Sequence, residues 1–373
     1  MISVNDLECI KATLENAKAL SERTPVFLYD VNHVKGQVER IKNAFSSYTN
    51  FKLLYAVKAN NNPEILKQLS RMGLGFHVSS LEELKAARKV SKDISFTGPV
   101  LTSEILQYIK RNSVKANANS IPDLKKIASM KDVGLRINPR IGWSYGAGIA
   151  SGSKESHFGV SPEEFRSIPA KLRNRITRLH MHTSSDSYRI GLFIEAFQRL
   201  LKITEKHPSV LVINIGGGIA APIGSEESEF DITTYAKRII AEAEKFGKKH
   251  KRILKIQVEP GNYIVRGAGY YIVRIHSVLQ RRGRYYFFSD GTIHHIRGLL
   301  NERRPYSFRK SPLVYGAILG ASCQVGDILV PFKKMPKLRE GDLVAIPKAG
   351  AYCAVQAAQF NMIGFREKVC SLH

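Results

Sequence analysis

Between residues 26 and 260 short apolar runs alternate with longer polar stretches in which apolar residues recur every three or four positions. The runs "VFLYD", "KLLYAVK", "GFHVSS", "DISFTGP", "VKANANS", "VGLRINP", "RLHMHTS", "VLVINIGGG" and "KIQVEPG" have the length and β-branched or aromatic content of buried strands. Between them, "NPEILKQLSRMG", "SLEELKAARKVS" and "LFIEAFQRLLKITEKH" show helical spacing. Eight or nine such repeats predict an α/β chain with a TIM-like (β/α)8 barrel over 26–262, whose chemistry would sit at the C-terminal ends of the strands. After "EPGN" the rhythm changes: "YYIVRIHSVLQ", "RYYFFSDG", "SPLVYGAIL", "DILVPFKK" and "DLVAIPKAGAY" follow one another without helices. They predict a β-sandwich or β-barrel domain over 263–373, to which 1–25 is added.

Composition and charge narrow the class. The 373 residues are 43% hydrophobic, as in an ordinary globular protein. No stretch approaches eighteen consecutive apolar residues, so no membrane-spanning helix is expected. The opening "MISVNDLECIKATLENAK" has no apolar core of a signal peptide, and the expected location is the cytoplasm. Cys9, Cys323, Cys353 and Cys370 occur without CxxC spacing, which argues against a structural zinc site and against a disulfide framework. A formal charge of +25 steers anions toward the chain, whether a phosphorylated substrate, an acidic carrier or nucleic acid. The basic residues are scattered through "KFGKKHKR", "QRRGRYY" and "NERRPYSFRK" without a tail or a nucleic-acid motif, so nucleic acid is not the expected partner.

Four strand ends carry candidate chemistry. Lys58 ends "YAVK" and is followed by the turn "ANNNP"; it is either a Schiff-base lysine or a lysine that reaches solvent at the barrel rim. Gly216, Gly217 and Gly218 follow an apolar strand, as a phosphate cradle or a tight β-α turn. His180 and His182 share one face of a strand, with hydroxyls at Thr183, Ser184 and Ser185. A metal pair lacks a carboxylate or third histidine at ligand spacing, and a histidine stacked on a flat ring fits at least as well. Glu259 ends "VE", as the partner of a protonated ring nitrogen or as a rim ion pair. A lysine, a glycine cradle, a histidine and a carboxylate at the same ends of barrel strands are together the parts of a pyridoxal 5'-phosphate (PLP) site.

The order of these motifs resembles the fold type III PLP-dependent decarboxylases, the group of diaminopimelate, ornithine and arginine decarboxylases, and diaminopimelate decarboxylase in particular. "YAVKAN", "LRINP", "SHFGV", "HMHTSSD", "INIGGG", "VEPGN", "GASCQVGD" and "GAYCAVQAAQFN" carry the resemblance over nearly the whole chain. It implies that Lys58 bears the cofactor, that His182 stacks on its ring, and that Glu259 pairs with the ring nitrogen. It further implies that Ser185 and Gly216 to Gly218 hold the phosphate, that Arg136 and His77 lie near the cofactor, and that Tyr352 approaches from the β domain. Cys323 would donate a proton from the second subunit of a homodimer with shared active sites. Asn262, Arg297, Gln324 and Asp327 fall at positions expected to face the substrate.

Several positions depart from the family pattern. Gln324 replaces the acid that follows the catalytic cysteine, Asn262 replaces the arginine of EPGR, His77 replaces an aspartate, and Ser184 replaces a glycine. A neutral amide is a poor counter-ion for a buried ammonium. With the charge of +25 this gives the expectation of a decarboxylase acting on an amino-acid centre in a conjugated or anionic molecule of a specialised pathway. Examples are an aminocarboxypropyl-nucleotide of a microcin C-type antibiotic, a siderophore precursor or a carrier-bound amino acid. The alternatives are diaminopimelate decarboxylase proper, or an amino-acid racemase of the same fold type.

Overall fold

A helix leaves its first amides without intrahelical partners, and a side-chain oxygen just ahead of it can accept from them. The structure is a computed structural model that describes residues 23–144, 150–221, 229–296, 305–307 and 310–371. In it Asn62 caps Pro63–Arg71, Ser80 caps Leu81–Arg88, Thr102 caps Ser103–Arg111 and Ser120 caps Ile121–Ile127. Ile65, Leu66 and Leu69 form the buried stripe of the first of these helices, as their spacing predicts.

The strands preceding and following such helices are, in chain order, β1 (Val26–Asp30), β2 (Phe51–Ala56), β3 (Gly75–Val78), β4 (Ile94–Phe96), β5 (Lys115–Ala118) and β6 (Val133–Arg136). They continue with β7 (Trp143–Ser144), β8 (Ile176–His180), β9 (Ser184–Ser185), β10 (Val212–Asn214) and β11 (Lys255–Val258). A closed parallel barrel is formed by β2, β3, β4, β5, β6, β8, β10 and β11 in that order, while β7 and β9 pair separately. Eight of the nine predicted strands therefore make the barrel. The compact unit that contains it spans 37–220 and 229–263.

"VFLYD" is the exception. β1 pairs antiparallel with β12 (Gly269–Arg281) and parallel with β18 (Arg366–Cys370), both in the other compact unit. Its apolar content signals burial correctly, but a closed eight-stranded barrel has no edge left for a ninth strand. The remaining strands of this unit are β13 (Arg284–Ser289), β14 (Tyr306–Ser307), β15 (Leu313–Leu319), β16 (Ile328–Pro336) and β17 (Leu343–Pro347). With β1, β12 and β18 they make one eight-stranded sheet. A bulge between Ile275 and Ser277 lets β12 pair with β1 and β17 along its first half and with β13 along its second. Val26, Leu28, Tyr270, Ile272 and Ala345 pack together there.

The barrel interior carries polar side chains as well as apolar ones. At the N-terminal ends of the strands Asp93 pairs with Lys52 at 2.7 Å and with Lys115 at 2.8 Å. Asp132 accepts from Thr177 Oγ1 at 2.7 Å and pairs with the fully buried Arg178. Arg178 on β8 also reaches Asn117 on β5 at 3.4 Å, past β6. Gly134 of β6 leaves that path open, because a Cβ there would stand 2.0 Å from Asn117 Oδ1.

Candidate active site

Alternation along β8 points Arg178 and His180 to the same side, and His182 follows just past the strand end. The carboxylate of Glu259, the residue after β11, is buried in front of His180. Its Oε1 accepts from Asn214 Nδ2, and its Oε2 lies 3.1 Å from His180 Nε2 and 3.6 Å from His77 Nε2. The His77 and His180 rings are nearly parallel, 7° apart in plane, with centroids separated by 5.7 Å. Burial pushes the Glu259 carboxyl up, but the two histidines and the hydrogen bonds from His180 and Asn214 outweigh it and hold the carboxyl at about 2. Burial also lowers His77 to about 4, so His77 is neutral at neutral pH.

Lys58 sits in the 3-10 turn Val57–Ala59 directly after β2. Its neighbours in the turn are buried, whereas its own side chain is open to water. Tyr55 donates to the Asn60 carbonyl at 2.9 Å, and the Asn60 side chain accepts the Asn62 amide at 2.9 Å, which fixes the turn. Enclosure by surrounding protein, followed by the charge of Arg136, lowers the Lys58 pKa, against Glu259 and Glu83. The Arg136 guanidinium lies 4.5 Å from the centroid of the Phe158 ring; burial lowers it to about 10, so it stays charged at neutral pH.

His182 Nδ1 accepts from the Gly217 amide at 3.2 Å, which places the proton of the neutral ring on Nε2. Burial, then Lys58 and Arg136, hold its pKa well below the usual histidine value. The three glycines are demanded by strand packing: a Cβ on Gly216 would stand 2.3 Å from the Met181 carbonyl, on Gly217 2.3 Å from the Glu259 carbonyl, and on Gly218 2.0 Å from the Ser184 carbonyl. Gly216 and Gly218 also have positive φ, of 74° and 85°. The Gly216 amide donates to Asn214 Oδ1 at 2.9 Å, so two of the three amides expected to face a phosphate are engaged by side chains.

Lys58, His77, Arg136, His182, Gly216 to Gly218 and Glu259 thus meet at the C-terminal ends of the barrel strands, and Ser185 lies exposed in β9 nearby in sequence. Asn262 does not face open space: it is buried and donates to Asp186, beside Ser185. In the β unit Asp327 is likewise turned inward. Its carboxylate accepts the Ile293 amide at 2.6 Å and the Ser322 amide at 2.9 Å, and so closes its own loop instead of presenting charge to a substrate. Cys323 and Gln324 are exposed on that loop, with the Cys323 amide held by Asn361 Oδ1 at 2.9 Å. Tyr352 is half-buried with a φ of 59°, and Arg297 lies outside the described residues.

Sequence reasoning missed Asn214, Phe158 and Glu83. Asn214 stands immediately before "IGGG" and could have been read as its anchor; Phe158 and Glu83 carry no local signal. It also missed that His77 and Glu259 join His180 in a cluster whose ligand atoms all lie within 4.8 Å of one another. A third histidine and a carboxylate are present at ligand spacing in space, though not along the chain.

The donors at the barrel mouth suit PLP. An enclosed, water-accessible lysine stands ready for an aldehyde, and an ionised buried carboxylate for a protonated ring nitrogen. Thr183 Oγ1 and Ser184 Oγ are buried without a hydrogen-bond partner among the described residues, as groups awaiting a ligand are. The family described as "Pyridoxal-dependent decarboxylase, pyridoxal binding domain" matches residues 31–266. The chain belongs to this family. It is an enzyme, a PLP-dependent decarboxylase. Among relatives of the family, the diaminopimelate decarboxylase of Methanothermobacter thermautotrophicus is 27% identical, over 96% of this chain and 90% of its own length. That of Campylobacter jejuni is 26% identical, over 94% and 90%. The fold matches diaminopimelate decarboxylase from Helicobacter pylori complexed with L-lysine at a TM-score of 0.86 and 24% identity, covering 97% of this chain and 94% of that one. Lysine/ornithine decarboxylase from Vibrio vulnificus complexed with cadaverine matches at 0.81 and 20%, covering 99% and 100%. Among the described residues no helix is long and apolar enough to cross a membrane.

Proposed function

We propose that the chain decarboxylates a free diamino acid, with diaminopimelate as the preferred substrate. The observation that supports the chemistry is the meeting of the Lys58 amine and the hydrogen-bonded Glu259 carboxylate at one end of one barrel. The substrate rests on relatives that align over nine-tenths of the chain and are named for diaminopimelate. The conjugated substrate expected from Gln324 finds no support among them. The distal end of diaminopimelate is a zwitterion, and a neutral amide can hydrogen-bond both its ammonium and its carboxylate.

PLP, when bound, supplies the electron sink that accepts the electron pair left on Cα as the carboxylate departs as CO2. The lowered pKa of Lys58 raises the fraction of free amine able to carry the cofactor. Glu259 would accept a hydrogen bond from the protonated ring nitrogen, with Asn214 and His180 holding the carboxylate in place. His182, neutral and tethered to Gly217, would lie against the ring; Arg136 and His77 would flank it. Ser185 and the glycine run would receive the phosphate. Cys323 would return a proton from the second protomer of a homodimer, with Tyr352 approaching the same cofactor.

The test is CO2 release by the purified, PLP-saturated chain from meso-diaminopimelate, lysine and ornithine compared at equal concentration. The expected order places diaminopimelate first by at least about tenfold in kcat/KM, or about 1.4 kcal/mol. Faster turnover of lysine or ornithine overturns the substrate, and no release from any of the three overturns the reading as a free diamino acid decarboxylase.

A further inference from the structure

His77 in β3, His180 in β8 and Glu259 just after β11 bring two imidazole nitrogens and a carboxylate oxygen within 4.8 Å of one another, all buried. Four-coordinate zinc with bonds of about 2.0–2.1 Å spaces its ligand atoms about 3.3 Å apart. The two separations to Glu259 Oε2, 3.1 Å from His180 and 3.6 Å from His77, lie on either side of that value. The second, independent observation is His77 itself. Its side chain is more than nine-tenths buried, and its Nε2, aimed at Glu259, has no hydrogen-bond partner among the described residues.

We propose that His77, His180 and Glu259 bind one zinc-class divalent cation when PLP is absent, and that metal and cofactor exclude each other at this position. The exclusion rests on the reading of Glu259 as the ring-nitrogen partner: Oε2 cannot serve a ring N–H and a metal at once. Two imidazoles and one carboxylate leave a fourth position for water, the ligand set of an open zinc site. The surrounding cations select the ion. Arg136 and Arg178 repel any divalent charge, so a hard cation held by oxygen and charge alone, such as Mg2+, gains too little, whereas Zn2+ or Co2+ gains two nitrogen bonds. The site would make loading of the cofactor sensitive to free zinc.

The experiment uses the full-length chain, PLP-saturated and after PLP removal by dialysis against an aldehyde-trapping amine, equilibrated with Zn2+ or Mg2+ and read by elemental analysis. The PLP-free chain is expected to hold about one zinc and no magnesium. The saturated chain is expected to hold less than about a tenth of a zinc, and Co2+ in the PLP-free chain should give the visible bands of a four-coordinate site. His77→Gln, shown to fold by its melting curve, should bind zinc at least about 100-fold more weakly, and Cys323→Ser should keep it. Zinc content unchanged in His77→Gln, lost in Cys323→Ser, or accompanied by octahedral Co2+ bands overturns the metal site and leaves the proposed function standing. Zinc held equally by the PLP-saturated chain and lost in His77→Gln overturns the exclusion, and with it the pairing of Glu259 with the ring nitrogen. Should His77→Gln fail to fold, the Co2+ spectrum decides alone.

Discussion

The two ends of the barrel treat buried charge in opposite ways. At the N-terminal ends Asp93 lies between Lys52 and Lys115, and Arg178 meets Asp132, although Arg178 Nε lacks a hydrogen-bond partner among the described residues. The lysines lower the Asp93 pKa in spite of the burial that raises it. At the C-terminal ends the Lys58 amine, open to water, feels the cation Arg136, and His77 Nε2, Thr183 Oγ1 and Ser184 Oγ lack partners among the described residues. Unmade hydrogen bonds to buried groups cost about 1–3 kcal/mol each. A chain that pairs its charges at one end and leaves donors and acceptors open at the other places its stability in the first and its ligand in the second.

Substitutions at the two ends should therefore separate activity from stability. Lys58→Ala at the open end should reduce CO2 release by at least about 10^3-fold while leaving the melting temperature unchanged, because the Lys58 side chain is open to water. Glu259→Gln should cost about 10^2-fold in kcat and alter the absorbance of bound PLP, since a neutral amide holds a ring proton less firmly. At the paired end Asp132→Ala leaves Arg178 buried without its carboxylate. It should cost about 2 kcal/mol in denaturant unfolding, below the value for a fully buried pair because Asp132 is 39% exposed, with kcat of the folded enzyme retained. A comparable loss of kcat in Asp132→Ala would erase the contrast between the ends.

Acid should sharpen the same contrast in the PLP-free chain. His77 titrates at about 4 in the folded state against an ordinary 6.5, so the unfolded chain binds the proton first. Stability is then complete above pH 6.5 and falls as pH drops from 6.5 toward 4, by a few kcal/mol. Glu259, held at about 2 against 4.5, adds a further loss between about pH 4.5 and 2. Denaturant unfolding across this range should show the first slope in the native chain and its flattening in His77→Asn. The smallest effect expected is that of Asn214→Ala, which removes a donor to Glu259 and should lower kcat by about tenfold.

Local chemistry made most of the architecture legible. Eight barrel strands follow from short apolar runs, their helices from Asn62, Ser80, Thr102 and Ser120 ahead of periodic segments, and Lys58 and Glu259 from their places at strand ends. "VFLYD" shows the limit: its composition specifies a buried strand but not which sheet buries it, and its partners lie more than 200 residues away. Asn262 and Asp327 show the same limit at single residues. Each has the side chain of a substrate contact, and each is turned inward by hydrogen bonds to Asp186 or to the Ile293 and Ser322 amides.

The sequence alone determined the barrel rhythm, the β-rich C-terminal region and the motifs of a PLP-dependent decarboxylase, because helix caps, strand periodicity and strand-end residues act over a few neighbours. Only the tertiary structure decided that β1 leaves the barrel, that Asn214 and His180 hold Glu259 ionised, and that His77 joins them in a three-ligand cluster. Those outcomes depend on sheet pairing between segments far apart along the chain, 45 residues for Asn214 and Glu259 and 79 for His180 and Glu259, which leaves no trace in the local order of residues.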